Sequence, residues 1–141
     1  MLPASSKFRP ATPDDKQWVI ELFAASGQLG SEYIANSRWF RFWQAKNPRE
    51  HWIVDNNNSA FCHYLVALDG TRSIYEIAVA QNARRTGLGK AMIELVGVPV
   101  RLKTDVENDT SNAFYASVGF LCVGKHKKRH SDGLSKVWYK G

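Results

Sequence analysis

The sequence predicts an α/β fold in which a mixed sheet carries helices on its faces. Two observations support this prediction: strand-like and helical segments follow one another along the whole chain, and a glycine-containing turn joins a strand to a helix. With 141 residues, 44% of them hydrophobic, the chain is long enough to bury a proper core. We therefore expect a single domain over residues 1–141.

The first part of the chain predicts a strand, two helices and three strands. Thr12 is a suitable N-cap for the first helix because proline and two acidic residues follow it, and Asn47-Pro48 ends the second helix. Asparagines at 56–58 and Asp69-Gly70 provide turns between the strands. The expected segments are a strand from Lys7 to Ala11, helices from Pro13 to about Gly27 and from Ser31 to Lys46, and strands from His51 to Val54, Ala60 to Leu68 and Ile74 to Ala80.

The second part predicts two further helices and three strands. Gly97 and Pro99 prevent extension of the first of these helices, and Gly119 suits a left-handed C-cap on the second. The expected segments are a helix from Leu88 to Val96, a strand from Pro99 to Thr104, a helix from Asp109 to Val118, and strands from Phe120 to Gly124 and Leu134 to Tyr139.

The two cysteines, Cys62 and Cys122, lie in strand-like apolar segments and have no metal-ligand spacing. We expect both to be buried free thiols, and we expect no metal site.

The turn between strand and helix reads Arg84-Arg85-Thr86-Gly87-Leu88-Gly89. Glycines let the backbone approach a ligand closely, and the N–H groups that open a helix carry partial positive charge toward an anion. The spacing differs from Gly-x-Gly-x-x-Gly and lacks the Lys-Ser/Thr ending of a P-loop. The pattern predicts a pyrophosphate site, although a tight turn could use the same glycines for structural reasons alone.

This turn resembles the acyl-CoA loop of the GNAT superfamily of N-acetyltransferases, whose pattern is Gln/Arg-x-x-Gly-x-Gly/Ala. A second segment resembles the family pattern Asn-x-x-Ala-x-x-x-Tyr-x-x-x-Gly-Phe, with Asn108, Tyr115 and Gly119-Phe120 in place and Ser111 where the alanine stands. The resemblance extends over nearly the whole chain. It implies a GNAT-like mixed, mostly antiparallel sheet flanked by helices, in the order β-α-α-β-β-β-α-β-α-β-β.

The resemblance implies an acetyl-CoA-dependent N-acyltransferase. Such an enzyme moves an acetyl group from acetyl-CoA, its cosubstrate, to a primary amine of a small molecule or protein by direct attack through a tetrahedral intermediate. Arg85 stands where the family often has glycine, which narrows the conformations available to the loop. The cofactor-binding residues that the resemblance implies are Ile77, Ala78, Val79, Arg84, Arg85, Thr86, Gly87, Leu88, Gly89, Lys90, Asn108 and Ser111.

By the same resemblance, Tyr115 is the acid for the leaving thiolate and Glu76 is the base for the amine, acting directly or through water. The residues themselves leave alternatives open. Tyr115 could equally pack inward from its helix, and Glu76 could form a salt bridge with Arg72 or another cation. His51 and His63 compete for the role of base, because their unperturbed pKa suits it.

The resemblance places the first two helices over the acceptor side. Trp39, Phe42 and Trp43 share one helical face by their spacing, so we expect them to pack on the sheet. Aromatic residues interleaved with arginine can also stack on bases and contact phosphates, which makes nucleic acid a second candidate acceptor. The expected substrate-binding residues are Tyr33, Arg38 and His63.

The net charge is +6, and the segment Lys125 to His130 holds four permanent cations in six residues. We expect this block to form the solvated tip of a hairpin between the last two strands. The alternative is a nucleic-acid-directed GNAT-like protein that modifies a base, or that binds through its basic, aromatic surface without catalysis.

No apolar run of about 18 residues occurs in the sequence, and its first ten residues contain no apolar core of signal-peptide length. We therefore expect a cytoplasmic protein without a membrane partner. Its expected partners are acetyl-CoA and an amine acceptor. The sequence leaves open whether it is a monomer or a homodimer.

Overall fold

The computed structural model describes residues 7–26, 31–128 and 133–141. The described chain contains strands β1 (Phe8–Pro10), β2 (Glu50–Asp55), β3 (Ala60–Val66), β4 (Arg72–Val79), β5 (Val100–Asp105), β6 (Leu121–Lys127) and β7 (Leu134–Lys140). Its α-helices are α1 (Lys16–Ser26), α2 (Ser31–Ala45), α3 (Leu88–Val96) and α4 (Asp109–Ser117), and short 3-10 turns cover Pro13–Asp15 and Gln81–Ala83.

The strands form one seven-stranded sheet in the order β1-β2-β3-β4-β5-β7-β6. Every pair of neighbours is antiparallel except β4 and β5. Apolar residues of α1 and α2, including Trp39, Phe42 and Trp43, pack on one face of the sheet, as predicted. Residues of α3 and α4 pack on the opposite face. The predicted mixed, mostly antiparallel α/β fold is confirmed.

The two parallel strands separate soon after they meet. Arg72 pairs with Val100 and Ser73 with Arg101, and the described sheet has no further β4–β5 pair. The other edge of β4 stays paired with β3 as far as Val79. The β5-facing edge of β4 beyond Ser73 therefore carries backbone groups without strand partners, next to the turn that opens α3.

A β-bulge interrupts the pairing of β3 with β4. His63 lies opposite Glu76 but Tyr64 lies opposite Ile74, so Tyr75 is an extra residue in β4. A bulge bends its strand and redirects a side chain. Here Tyr75 and Glu76 both contact residues on the α2 side of the sheet.

Two expectations about the C-terminal strands are wrong. Cys122 is an exposed thiol, whereas Cys62 is buried as predicted. The cause is that β6 forms the edge of the sheet and every one of its residues is exposed. In the basic block, Lys125 to Lys127 belong to β6 rather than to a hairpin tip; its last two residues, Arg129 and His130, lie outside the described residues.

Among the described residues, no helix combines the length and the apolar character that a membrane crossing requires.

A local network of polar groups fixes the start of α1. Arg9 donates hydrogen bonds of 2.7 and 2.8 Å to the Asp15 carboxylate, and the Thr12 N–H donates one of 2.8 Å. The indole of Trp18 donates a fourth, of 2.9 Å. The hydrogen bonds from Arg9 are the main cause that lowers the pKa of Asp15.

Asp15→Asn is expected to lower the free energy of unfolding by about 1 kcal/mol at neutral pH, because it removes a capping carboxylate. A carboxyl group whose pKa is depressed by folding stabilises the protein above its unfolded pKa of about 4, and that contribution fades as the pH falls below it. The difference between wild type and variant should therefore shrink in acid. Urea unfolding across this pH range measures it, and a pH-independent difference would contradict the role given to the Asp15 charge.

Candidate active site

The turn between β4 and α3 presents backbone donors at a helix N-terminus. Gly87 precedes the helix with φ +81°, and Arg85 also has a positive φ of 66°. No side chain caps α3. Because the first N–H groups of a helix have no intrahelical acceptor, those of Leu88, Gly89 and Lys90 are available to a bound anion.

Glycine is required at both positions of this turn, for different reasons. A Cβ at Gly89 would lie 3.3 Å from Cζ of Phe114 and 3.6 Å from Cγ2 of Val79, so glycine lets α3 begin close against β4 and α4. A Cβ at Gly87 would meet no atom within 4 Å, but the positive φ disfavours a side chain. The open space at Gly87 lies on the surface of the turn, where a ligand would approach.

Side chains of the turn partly hold the turn itself. The Thr86 hydroxyl donates to the Ala83 carbonyl at 2.6 Å, and Nε of Arg84 donates to the Val79 carbonyl at 3.3 Å. Ile77, Ala78 and Val79 were predicted to contact the cofactor. They lie in the part of β4 whose β5-facing edge has no strand partner and that leads into this turn. The turn and this edge of β4 therefore form one continuous surface of backbone groups.

Helix α4 lies next to that surface and carries the other predicted residues. The Asn108 side chain accepts a hydrogen bond of 3.1 Å from the Ser111 N–H, so both residues belong to the N-cap of α4. Tyr115 is buried and packs edge-to-face on Phe114 and Phe120, with ring centroids 5.2 and 5.4 Å away. Burial raises the pKa of Tyr115, so its phenol stays protonated throughout the neutral and mildly alkaline range.

On the other face of the sheet, four charged or titratable side chains meet. Nδ1 of His63 lies 2.5 Å from Oε2 of Glu76, and Nε2 of His63 lies 2.6 Å from Oε2 of Glu50. Arg38, from α2, forms an ion pair with Oε1 of Glu76. The ring of Trp52 stacks on His63 at a centroid distance of 4.1 Å and fixes the plane of the imidazole. We call Arg38, Glu50, His63 and Glu76 the polar cluster.

Burial sets the protonation of this cluster. Desolvation, with a smaller effect from Arg38 and Arg41, lowers the pKa of His63 to about 3. Desolvation also raises the pKa of Glu50, and this effect outweighs the positive charges of Arg41 and Arg38, which lower that pKa. Both shifts favour neutral forms of these two groups, as expected for ionisable side chains removed from water.

The polar cluster borders a cleft of about 370 Å³ between α2 and the sheet. Arg38, Arg41 and Ala45 line it from α2 because they share one helical face. Cation–π contact holds Arg38 over the Tyr75 ring, 5.8 Å from its centroid. The remaining lining residues are Asn47, Glu50, His63, Leu65 and Tyr75.

The structure brings together Arg38, His63 and Glu76, three residues that the sequence analysis assigned to the site. The cation on Glu76 is Arg38 and not Arg72, whose guanidinium donates to the carbonyls of residues 70 and 98. Tyr33 is 79% exposed and does not line the cleft. His51 stacks on Tyr64, whose ring packs with the core of the α3–α4 face, so His51 lies apart from the polar cluster.

The sequence analysis missed Glu50, Arg41 and Tyr75. A signal for Glu50 was present: in an alternating strand, residues 50, 52 and 54 share one face, and Trp52 and Val54 on that face are apolar core residues. Tyr75 could not be found in this way, because the bulge breaks the alternation of β4.

Comparisons with known proteins bear on this geometry. Residues 47–121 match the model of the acetyltransferase (GNAT) domain, a range that includes the turn before α3 and most of the polar cluster. The chain is 34% identical over 70 residues to the 5-NmdU N-acetyltransferase of Pseudomonas phage PaMx11. That alignment covers 46% of this chain and 50% of the relative, so the chain spans about half the length of the curated relative it matches.

Solved structures show the same fold at low sequence identity. A GNAT-family protein from Desulfovibrio desulfuricans superposes with a TM-score of 0.77 at 19% identity, covering 94% of this chain and 96% of that one. The ribosomal-protein-S18-alanine N-acetyltransferase from Escherichia coli superposes with a TM-score of 0.68 at 18% identity, covering 94% and 90%. At these identities the likeness concerns the fold alone.

Proposed function

Because the chain belongs to the GNAT acetyltransferase family, we propose that it transfers an acetyl group from acetyl-CoA to a primary amine. The match to the domain model confirms the family that the sequence motifs predicted. It also agrees with the predicted class of enzyme and with acetyl-CoA as cosubstrate. The acceptor, the site residues and the activity of the whole protein are proposals. We also propose that residues 1–141 form one acyltransferase domain, since strands from both ends of the described chain join a single sheet.

The observation that carries the proposal is the continuity of the α3 turn with the unpaired edge of β4. The N–H groups at residues 88–90 offer a site for the pyrophosphate of CoA. The edge at residues 77–79 offers backbone groups to the pantetheine arm and an N–H donor to the thioester oxygen. This arrangement holds an acyl-CoA along the split between β4 and β5.

In the proposed reaction, the amine loses a proton to the polar cluster, through Glu76 and His63, and attacks the thioester carbon. The carbonyl oxygen becomes an oxyanion, which a backbone N–H of the β4 edge stabilises. The C–S bond then breaks and Tyr115 supplies a proton to the departing thiolate. The nitrogen loses its second proton as the amide forms, and a proton from solvent restores the Tyr115 phenol. Arg38 holds Glu76 in place, so it acts as a positioning residue for the base.

The proposed function is tested in two steps with the whole chain. Isothermal calorimetry with acetyl-CoA measures binding of the cosubstrate. Mass spectrometry then detects acetylation in a panel of primary amines: n-butylamine, a peptide with an N-terminal alanine, and 5-NmdU. We expect acetyl-CoA to bind. We also expect one of these amines to give a product about 42 Da heavier, because an acetyl group replaces a hydrogen. Absence of acetyl-CoA binding would overturn the proposal.

Tyr115→Phe is expected to lower kcat by roughly 100-fold, the usual scale for losing a general acid. The phenyl ring still fills the space among Phe114, Phe120 and Trp138, so the Kd for acetyl-CoA should stay unchanged. Stopped-flow detection of CoA thiol, together with calorimetry, separates the two effects. A variant with the wild-type kcat would leave Tyr115 with its packing role alone.

A nucleic-acid acceptor is a second candidate, and the similarity to the phage 5-NmdU N-acetyltransferase favours it. The chain also exposes cations on two strands that β7 separates, Arg101 and Lys103 on β5 and Lys125 and Lys127 on β6. If these cations guide a polynucleotide, binding of a single-stranded oligonucleotide should weaken steeply with salt. Salt-independent retention, or none, would favour a small amine or a protein amine. A cytoplasmic location and the oligomeric state stay predictions.

A further inference from the structure

We infer that Glu50 is the residue that receives the proton of the acceptor amine in the cleft, and that His63 relays this proton to Glu76. The inference rests on the proposed function and names a catalytic residue that the sequence motifs do not include. It follows from the exposure of the polar cluster, from its proton count and from the two oxygens of the Glu50 carboxyl group.

Exposure decides which carboxyl group an acceptor meets first. The Glu50 side chain is 21% exposed, whereas those of His63 and Glu76 are 3% and 4% exposed. Glu50 and His63 line the cleft, and Glu76 is not among its lining residues. An ammonium group in the cleft can therefore reach Glu50 directly, while Glu76 lies behind His63 and Arg38.

The two short contacts of His63 fix the number of protons in the cluster. A nitrogen and an oxygen 2.5 or 2.6 Å apart need a proton between them, so Glu50, His63 and Glu76 share two protons. With two shared protons and the positive charge of Arg38, the four side chains carry no net charge, which makes their burial tolerable. Because Arg38 pairs with Glu76 and stabilises it as a carboxylate, one proton lies on Nδ1 of His63 and points to Glu76, and the other lies on Glu50 and points to Nε2. The raised pKa of Glu50 and the lowered pKa of His63 agree with this distribution.

In that state the cluster can conduct a proton without moving a side chain. The ammonium donates its proton to the Glu50 oxygen that does not contact His63. The proton on the other Glu50 oxygen passes to Nε2 of His63, and the Nδ1 proton passes to Glu76. The amine is left neutral with a free lone pair, and the cluster has gained one proton. Arg38 favours the Glu76 carboxylate, so the transferred proton remains easy to release.

The groups that face Glu50 come from three elements. Arg38 and Arg41 approach from α2, His63 lies on β3, and Tyr75 lies on β4 beside Glu76. The two arginines disfavour a second cation in the cleft, and Arg38 already lies over the Tyr75 ring. Glu50 is the carboxyl group among the lining residues, so its oxygen that does not contact His63 is the acceptor that an ammonium can reach there.

The test uses the full chain labelled with ¹⁵N-histidine and n-butylammonium chloride as the probe. We expect Nε2 of His63 to resonate as an unprotonated ring nitrogen that accepts a hydrogen bond from Glu50. Butylammonium bound at Glu50 should strengthen that hydrogen bond and so shift Nε2 part of the way toward the position of a protonated nitrogen. Glu50→Gln should abolish this response, because an amide cannot pass the proton on. Glu94→Gln, an exposed glutamate of α3, serves as the matched control and should respond as wild type does. Potassium chloride at equal ionic strength corrects for screening.

Each outcome decides the inference. A butylammonium response that persists unchanged in Glu50→Gln, or one that is absent from wild type, would overturn it. Should Glu50→Gln fail to fold, Glu50→Asp keeps the carboxyl group at a greater distance from the ring and should reduce the response. Calorimetry with acetyl-CoA on the same samples tests the proposed function separately. If no sample binds acetyl-CoA, the proposed function is wrong, while the result at His63 still stands.

Discussion

Replacing Gly87 by valine is expected to raise the Kd for acetyl-CoA about 30-fold or more, equivalent to the loss of one or two hydrogen bonds to a charged phosphate. Gly87 precedes α3 with φ +81°, a conformation that is a genuine outlier for a β-branched residue. A valine would either strain the turn or shift its backbone. Both responses move the N–H groups of residues 88–90 away from the pyrophosphate, and the new side chain also occupies the open surface above them.

Gly70→Val is the matched control for this prediction. Gly70 has φ +90°, its missing Cβ also faces open space, and it lies in the turn that precedes β4 rather than in the turn before α3. Both substitutions should lower stability by a similar amount, about 1–3 kcal/mol for strain of this kind. Calorimetry should show weakened acetyl-CoA binding in Gly87→Val alone. Equal Kd values for the two variants would mean that the turn before α3 does not bind the cofactor.

Local signals in the sequence predicted the elements around the turn before α3 well. Helix α3 occupies the predicted residues because glycines with positive φ stand on both sides of it, at 87 and 97. Asn108 caps α4 and Gly119 follows that helix with φ +96°, as their positions in the sequence indicated. Each of these features depends on a few neighbouring residues, so the sequence alone can specify it.

Features that depend on the order of strands could not be predicted. The apolar segment around Cys122 has the composition of a core strand, but β7 lies between β5 and β6 and leaves β6 at the edge. The polar cluster likewise depends on how separate elements of the chain pack together. Arg38 on α2, Glu50 on β2 and His63 on β3 are far apart in sequence, and only the packing of α2 over the sheet brings them to Glu76.

Glu76→Gln is expected to lower kcat/KM by about 100-fold at neutral pH, the scale of general-base catalysis. Glutamine cannot accept the proton that His63 delivers, so the variant acetylates only those amine molecules that are already neutral in solution. An alkylamine has a pKa of about 10, so its neutral fraction rises tenfold per pH unit up to that value. The deficit of Glu76→Gln should therefore shrink as the pH rises from about 7 to about 9.5, while the Kd for acetyl-CoA stays unchanged.

The shape of this profile decides between the two roles that the sequence left open for Glu76. If the carboxylate serves only as the ion-pair partner of Arg38, its loss disturbs the cleft equally at every pH and the deficit is constant. If it is the final acceptor of the relay, alkali restores the rate. His51→Ala gives the comparison for a histidine on the opposite face of the sheet and should keep the wild-type profile. Thermal unfolding shows whether each variant is folded under the assay conditions. A lower rate of a folded variant can then be assigned to catalysis rather than to a loss of folded protein.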